Sequence, residues 1–179
     1  NRPDAGLYHL PYISILNDYK IIFGLSNIHF RFGHTSILQY TSAIFNNSIF
    51  LTKGITIPAA TVLVTLFIYF FKNLISIKKN YFFLFFYFLI SIFIILKTSR
   101  YNDIGNDAIG HLFLFLTIAI FLEKILKKDF NYENFFFLSL FSIFAFTNKV
   151  FLIFGFCFPL LYIIFIKNFN FLVNKKNII

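Results

Sequence analysis

The sequence predicts an all-α fold, a polytopic membrane helix bundle of about five transmembrane helices preceded by two short amphipathic surface helices. Three observations predict it. The 179 residues are 59% hydrophobic and only 13% charged, too apolar for a soluble domain of this size to keep its Phe and Ile off the surface. Five charge-free apolar runs follow one another at 54–71, 80–96, 108–122, 134–148 and 150–166. The lysines sit between those runs rather than on one face, so the net charge of +9 reports topology, and nucleic acid is excluded as a partner.

The chain divides near residue 50. Residues 1–50 read as an external-face loop with two juxtamembrane helices, and residues 51–179 as the transmembrane bundle. The first stretch is polar and holds three of the four histidines. Polar groups gathered at the mouth of an apolar bundle mark a site more often than a scaffold. Pro11 sits where a helix can begin, since its missing amide hydrogen needs no partner in the first turn. Tyr12, Ile15 and Tyr19, with Leu16 beside them, have helical spacing for a surface helix. Residues 24–33 read as a loop, with Gly24-Leu-Ser-Asn and Arg31-Phe-Gly-His as turn signals. Thr35 or Ser36 then caps a second helix whose face carries Ile37, Tyr40, Ile44 and Ser48.

A helix crosses a hydrocarbon core of about 30 Å with about 20 residues, so the five runs serve as spans with their flanking residues. The third is the weakest, because Gly110 and His111 lie near its start. The last two as one helix would reach roughly 50 Å and place Lys149 near mid-membrane. A hairpin turning at Asn148-Lys149 avoids both, and five spans result. Alternation puts Lys72, Lys78, Lys79, Lys124, Lys127, Lys128, Lys167, Lys175 and Lys176 on one side, which is then cytoplasmic. The opposite side holds the first segment, the 97–107 loop and the Asn148-Lys149 turn. The chain contains no Met, so a longer protein with a further span upstream is expected. No signal peptide is recognisable. The single Cys157 lies in an apolar run and reads as a core or lipid-facing residue.

Several polar residues stand out on the external side. Asp4 is either a functional carboxylate or a solvated loop acid or cap. The spacing of His9, His29 and His34 matches no tight metal-ligand motif, so no metal site is expected. These histidines read as hydrogen-bond donors to a substrate or as interfacial packing residues. In the 97–107 loop, Asp107 opens a span and can cap it, with Asp103 four residues before it. Arg100 is a phosphate partner or a snorkelling interfacial side chain. Lys149 opposes the positive-inside trend and reads as a phosphate contact or a simple turn lysine.

The order of these features resembles the GT-C class of integral membrane glycosyltransferases, to which protein O-mannosyltransferases and the bacterial aminoarabinose transferases of lipid A belong. In that class an acid in the first external loop, often followed four residues later by Tyr, opens two surface helices. Asp4 and Tyr8 fit that pattern. Gly24, residues 35–45 and Ile57-Pro-Ala-Ala are similar to the stretch that leads into the first span. Asp107 in Asn106-Asp107-Ala108 resembles the second external acid, and Ala145-Phe-Thr-Asn-Lys149 the short span that ends in Lys. Gly6-Leu-Tyr-His-Leu-Pro and Asn27-Ile-His-Phe-Arg-Phe-Gly also look like a group of uncharacterised bacterial polytopic proteins related to the class. Two departures stand beside these matches. Asp4 is followed by Ala5 rather than a second acid, and Gly33-His34-Thr35 replaces a Pro-Pro pair.

The resemblance implies transfer of a sugar from a polyprenyl-phosphate-linked donor to a lipid or glycan acceptor, at the external face of the bacterial cytoplasmic membrane. Asp4 would be the general base on the acceptor hydroxyl. Arg100 and Lys149 would stabilise the departing lipid phosphate. Asp103 or Asp107 would orient the acceptor or hold a divalent cation. Tyr8, His9, His29 and Arg31 would complete the substrate-binding surface. Two other classes compete. A polymerase or ligase of lipid-linked polysaccharide would lean on Arg31 and His34 rather than Asp4. A non-enzymatic lipid or sugar transporter would need polar groups lining its spans, which hold mostly Ser and Thr.

Overall fold

A computed structural model describes residues 5–19, 22–28, 30–33, 36–76, 80–101 and 107–176. The protein is all-helical, and no strand occurs among the described residues. It forms two compact units, Asn1–Ile109 and Gly110–Ile179.

The first unit opens with a π-helical turn, Ala5–His9, that runs into α1 (Leu10–Tyr19). Helical winding thus begins before Pro11, which was expected to open the helix and instead lies inside the continuous stretch, where it has no N–H to give to the turn before it. The 24–33 stretch, expected as a loop, is instead two single turns, α2 (Leu25–Ile28) and a 3-10 helix Phe30–Gly33. Turns of four residues are too short to leave a hydrophobic period. Gly24, at φ +85°, makes the entry possible, and its carbonyl accepts from Asn27 N–H at 2.9 Å. Next comes α3 (Ile37–Phe45), capped by Ser36 in a full capping box with Gln39. A 3-10 helix, Leu51–Thr56, leads into α4 (Ile57–Ser76), which packs on α5 (Tyr81–Tyr101) through Phe70 and Tyr87.

The packing faces of α1 and α3 differ from the expected ones. In α1 the buried residues are Tyr12 and Ile13, while Tyr19 is exposed. In α3 they are Leu38, Gln39 and Ser42, while Ile37 and Ile44 face outward and Ser48 is exposed. The two helices pack on each other and run in the same direction. His9 meets Gln39, Tyr12 meets Tyr40, and Asn17 Nδ2 donates to the Asn46 carbonyl at 2.7 Å. Polar pairing, rather than an apolar stripe, sets which side of each helix turns inward.

In the second unit α6 (Asp107–Lys127), from Gly110 onward, packs with α7 (Tyr132–Asn148) and α8 (Cys157–Lys176) around Phe121, Leu138, Tyr162 and Ile166. Asn131 caps α7, its side chain accepting from Asn134 N–H at 2.8 Å. The chain turns at Lys149, as expected for a hairpin at Asn148-Lys149. The fifth run begins as a 3-10 helix, Val150–Phe156, and becomes α-helical only at Cys157. That 3-10 turn lies against α7, where Ser142 Oγ reaches both its own Leu138 carbonyl at 2.8 Å and the Gly155 carbonyl at 2.9 Å. Tighter winding at the return keeps Gly155 and Leu152 buried against the preceding helix.

Among the described residues two stretches are long and apolar enough to cross a membrane, Leu51–Ser76 and Asp107–Lys127, each with a mean hydropathy of 2.0 over an 18-residue window. Tyr81–Lys97 and Val150–Ile166 are shorter apolar helices.

Candidate functional site

The polar head of the first unit gathers three of the expected residues. Tyr8 and His9 occupy the π-helical turn, where the looser winding sets their rings side by side with centroids 4.1 Å apart. Arg31, on the Phe30–Gly33 turn, lays its guanidinium 5.2 Å over the Tyr8 ring and 5.8 Å from that of Phe30. Such a stack holds a cation in place over the ring face.

Beneath this stack lies a buried polar ladder that the residue pattern left unnoticed. Gln39 takes the Ser36 N–H on Oε1 at 3.0 Å and places Nε2 2.9 Å from His9 Nδ1. Ser36, Gln39 and Ser42 are each 2% exposed and His9 7%. One rung along, the Tyr12 and Tyr40 hydroxyls meet at 3.0 Å. Burial, reinforced by that hydrogen bond, pushes the Tyr12 phenol well above its ordinary range. Either hydroxyl can be the donor in that bond. The signal for Gln39 was present as Ser36-Ile-Leu-Gln39, the S-x-x-Q form of a capping box.

The remaining expected residues fall elsewhere. Asp4, His29, His34, Thr35 and Asp103 lie outside the described residues. Arg100 falls in the last turn of α5. Asp107 is exposed in the first turn of α6, where its charge complements the helix dipole. Lys149, in the second unit, joins α7 to the following 3-10 helix in an extended conformation. Its N–H donates to the Ala145 carbonyl at 3.0 Å, and its carbonyl accepts from Leu152 N–H at 2.9 Å. The backbone is thus fixed while the side chain is half-buried. Beside it, Asn148 is buried. Its Nδ2 donates to the Phe144 carbonyl at 2.8 Å, and its Oδ1 has no hydrogen-bond partner among the described residues. A buried acceptor left unpaired costs about 1–3 kcal/mol, which is unusual enough in a native fold to point toward a role. Among the described residues no three His, Cys, Asp or Glu side chains cluster as a metal site would require.

The profile of the DUF8201 family, a domain of unknown function, matches residues 2–179. The chain belongs to that family. The DUF8201 match takes in both units, so the polar head and the α7 turn are parts of one family domain. No curated protein and no solved structure matches the chain significantly.

Proposed function

We propose that this DUF8201 protein is an integral membrane glycosyltransferase that moves a sugar from a polyprenyl-phosphate-linked donor to a lipid or glycan acceptor at the external face. In this reading α4 to α8 are five spans, and α1 and α3 lie at the external surface. The observation that carries it is the head itself. His9, Ser36, Gln39 and Ser42 are turned inward, while Phe23 is 96% exposed, Ile28 80% and Ile44 71%. A water-facing head would invert that distribution. A head seated in lipid headgroups, holding polar groups for a substrate, accounts for it.

The second unit is built the same way. Thr117, Ser142 and Asn148 are buried, and Phe136, Phe151 and Ile153 are exposed. In this reading the five runs alternate across the membrane, and the Lys149 turn is external. A cationic side chain on a fixed backbone, next to an unpaired buried acceptor, suits a phosphate and a neighbouring hydroxyl. Asp4, four residues before Tyr8, supplies the carboxylate that takes the acceptor proton as its oxygen attacks the anomeric carbon. The lipid phosphate leaves with the bonding pair, stabilised by Arg100 and Lys149.

The test is Asp4→Asn in a reconstituted transfer assay with the radiolabelled lipid-linked sugar. Transfer is expected to fall by at least about 100-fold, the lower range for loss of a general base, with insertion and unfolding behaviour unchanged. Undiminished transfer by that variant, together with loss in Arg31→Ala, would instead support the polysaccharide polymerase reading.

A further inference from the structure

The two helices of the head present different chemistry on their outward sides. On α1, Ser14 and Asp18 are exposed, four residues apart and so on one face, with Asn17 exposed beside them. On α3 the outward residues are Ile37 and Ile44, seven apart and again on one face. Thr41 lies between them on that face. Its hydroxyl turns back onto the Leu38 carbonyl at 2.9 Å and the Ile37 carbonyl at 3.2 Å, so its hydrogen is taken up within the helix.

The apolar side continues past the end of α3. Ile49, Phe50 and Leu51 are exposed next, and Leu51 opens the membrane-length stretch Leu51–Ser76. Asn47 pairs the backbone of the turn between them. Its Oδ1 accepts from Ile49 N–H at 2.9 Å and from Phe50 N–H at 3.1 Å, and its Nδ2 donates to the Ile44 carbonyl at 3.1 Å. Apolar side chains thus face out while Thr41 and Asn47 bond to their own segment. Hydrocarbon imposes that arrangement, because it offers a polar group no partner. Water does not impose it, and neither does a hydrogen-bonding protein surface.

We infer that α3 lies against the acyl chains of the membrane through Ile37, Ile44 and Ile49, and that α1 is held off them, on the aqueous side, by its Ser14 and Asp18 face. The inference rests on the membrane part of the reading above and not on sugar transfer. A carboxylate is costly to bring into hydrocarbon, so Asp18 decides which helix stands toward water. The buried pairs His9–Gln39 and Tyr12–Tyr40 join the two helices. They then lie at the boundary, with lipid on the α3 side and water on the α1 side. Residue spacing made both helices amphipathic surface helices, whereas side-chain exposure gives the lipid face to α3.

The chain contains no Trp, so a single introduced Trp reports a single position. Ile44→Trp and Ser14→Trp are made in the full chain and reconstituted into phosphatidylcholine vesicles. Two quenchers are compared, lipid brominated on its acyl chains and iodide present on both sides of the membrane. Ile44→Trp is expected to lose most of its emission to the brominated lipid and little to iodide. Ser14→Trp is expected to do the reverse. Ile37→Trp and Asp18→Trp repeat the comparison, and replace the first pair if either member loses the wild-type unfolding midpoint. Quenching of Ile44→Trp by iodide alone overturns the lipid face. Protection of Ile44→Trp from both quenchers also overturns it, because a protein surface then covers α3. Equal bromine quenching of Ser14→Trp and Ile44→Trp overturns the difference between the helices. Sugar transfer by wild type is assayed in the same vesicles. Bromine quenching of Ile44→Trp where wild type transfers no sugar leaves the lipid face standing and counts against the glycosyltransferase reading instead.

Discussion

Asp129 shows how a single side chain closes a turn. It accepts from Lys124 Nζ at 2.7 Å, and Asn134 Nδ2 donates to its backbone carbonyl at 3.1 Å. That same carbonyl takes the Tyr162 hydroxyl at 2.7 Å, which ties the α6–α7 turn to α8. The Lys124 ammonium holds the Asp129 carboxyl below its ordinary range of about 3.9. The sign follows from linkage. A carboxylate with a lowered folded value contributes stability above its unfolded value, and that contribution fades as pH falls through the folded one. Thermal unfolding in detergent is therefore expected to lose midpoint on acidification below about pH 4, and Asp129→Asn to flatten that part of the profile. An identical acid limb in the variant would assign the loss to other carboxylates. The partners of Asp129 were only partly legible in the sequence. Lys124 lies five residues away and is readable as a neighbour, whereas Tyr162 is 33 residues on and reaches the turn only because α8 folds back.

Among the elements, the long helices were the most legible and the faces of the short helices the least. Runs of 15 or more apolar residues leave little choice but a buried or lipid-facing helix, and α4, α5, α6, α7 and α8 each overlap one such run. The nine residues of α3 offer barely two and a half turns. A stripe through Ile37, Tyr40 and Ile44 was as good a face as Leu38, Gln39 and Ser42. The choice fell to hydrogen bonding, since burying Gln39 unpaired would cost more than exposing Ile44. The link from α3 to α4 has its own constraint at Gly54. A Cβ there would run into the Phe45 carbonyl oxygen and lie 2.7 Å from Phe50 Cβ. Neither the carbonyl nor the Cβ can swing away as a side-chain tip would. Gly54→Ala is expected to destabilise the protein by about 2–3 kcal/mol, the upper range for overpacking, read as a lowered unfolding midpoint. A shift below measurement error would mean the 3-10 turn relaxes freely. Gly110 is the milder case, because its nearest neighbour is the flexible Leu152 Cδ1 at 2.9 Å.

At the scale of the whole molecule, the proposed five-span topology makes opposite ends chemically distinguishable. In a Cys157→Ser background, Lys149→Cys is expected to react with a membrane-impermeant thiol reagent added outside intact cells. Lys128→Cys, at the α6–α7 turn, is expected to react only after permeabilisation. Equal labelling of both from one side would remove the alternation on which the shared external face depends. Both labelled positions lie in the second unit, which holds the Asn148–Lys149 turn, while the Tyr8–His9–Arg31 head and Asp107 belong to the first. Labelling therefore reports the sidedness of the second unit.

Composition and run length alone determined that this chain is helical and where its long helices lie. They did so because the apolar runs are long, charge-free and separated by lysines. The hairpin at Asn148-Lys149 was legible for the same reason, as a buried mid-span lysine is costly. Tertiary structure alone decided what the polar head is made of. Tyr8, His9 and Arg31 stood out as residue types, but nothing in their spacing showed a π-helical turn that sets two rings against each other with a guanidinium over the Tyr8 ring. Ser36 and Gln39 were readable as a cap, a local matter of three residues. That the cap's amide would reach His9, 30 positions away, required α1 and α3 to pack side by side. Hydrogen-bond polarity passes from residue to residue only through contacts, and long-range contacts are made by the fold.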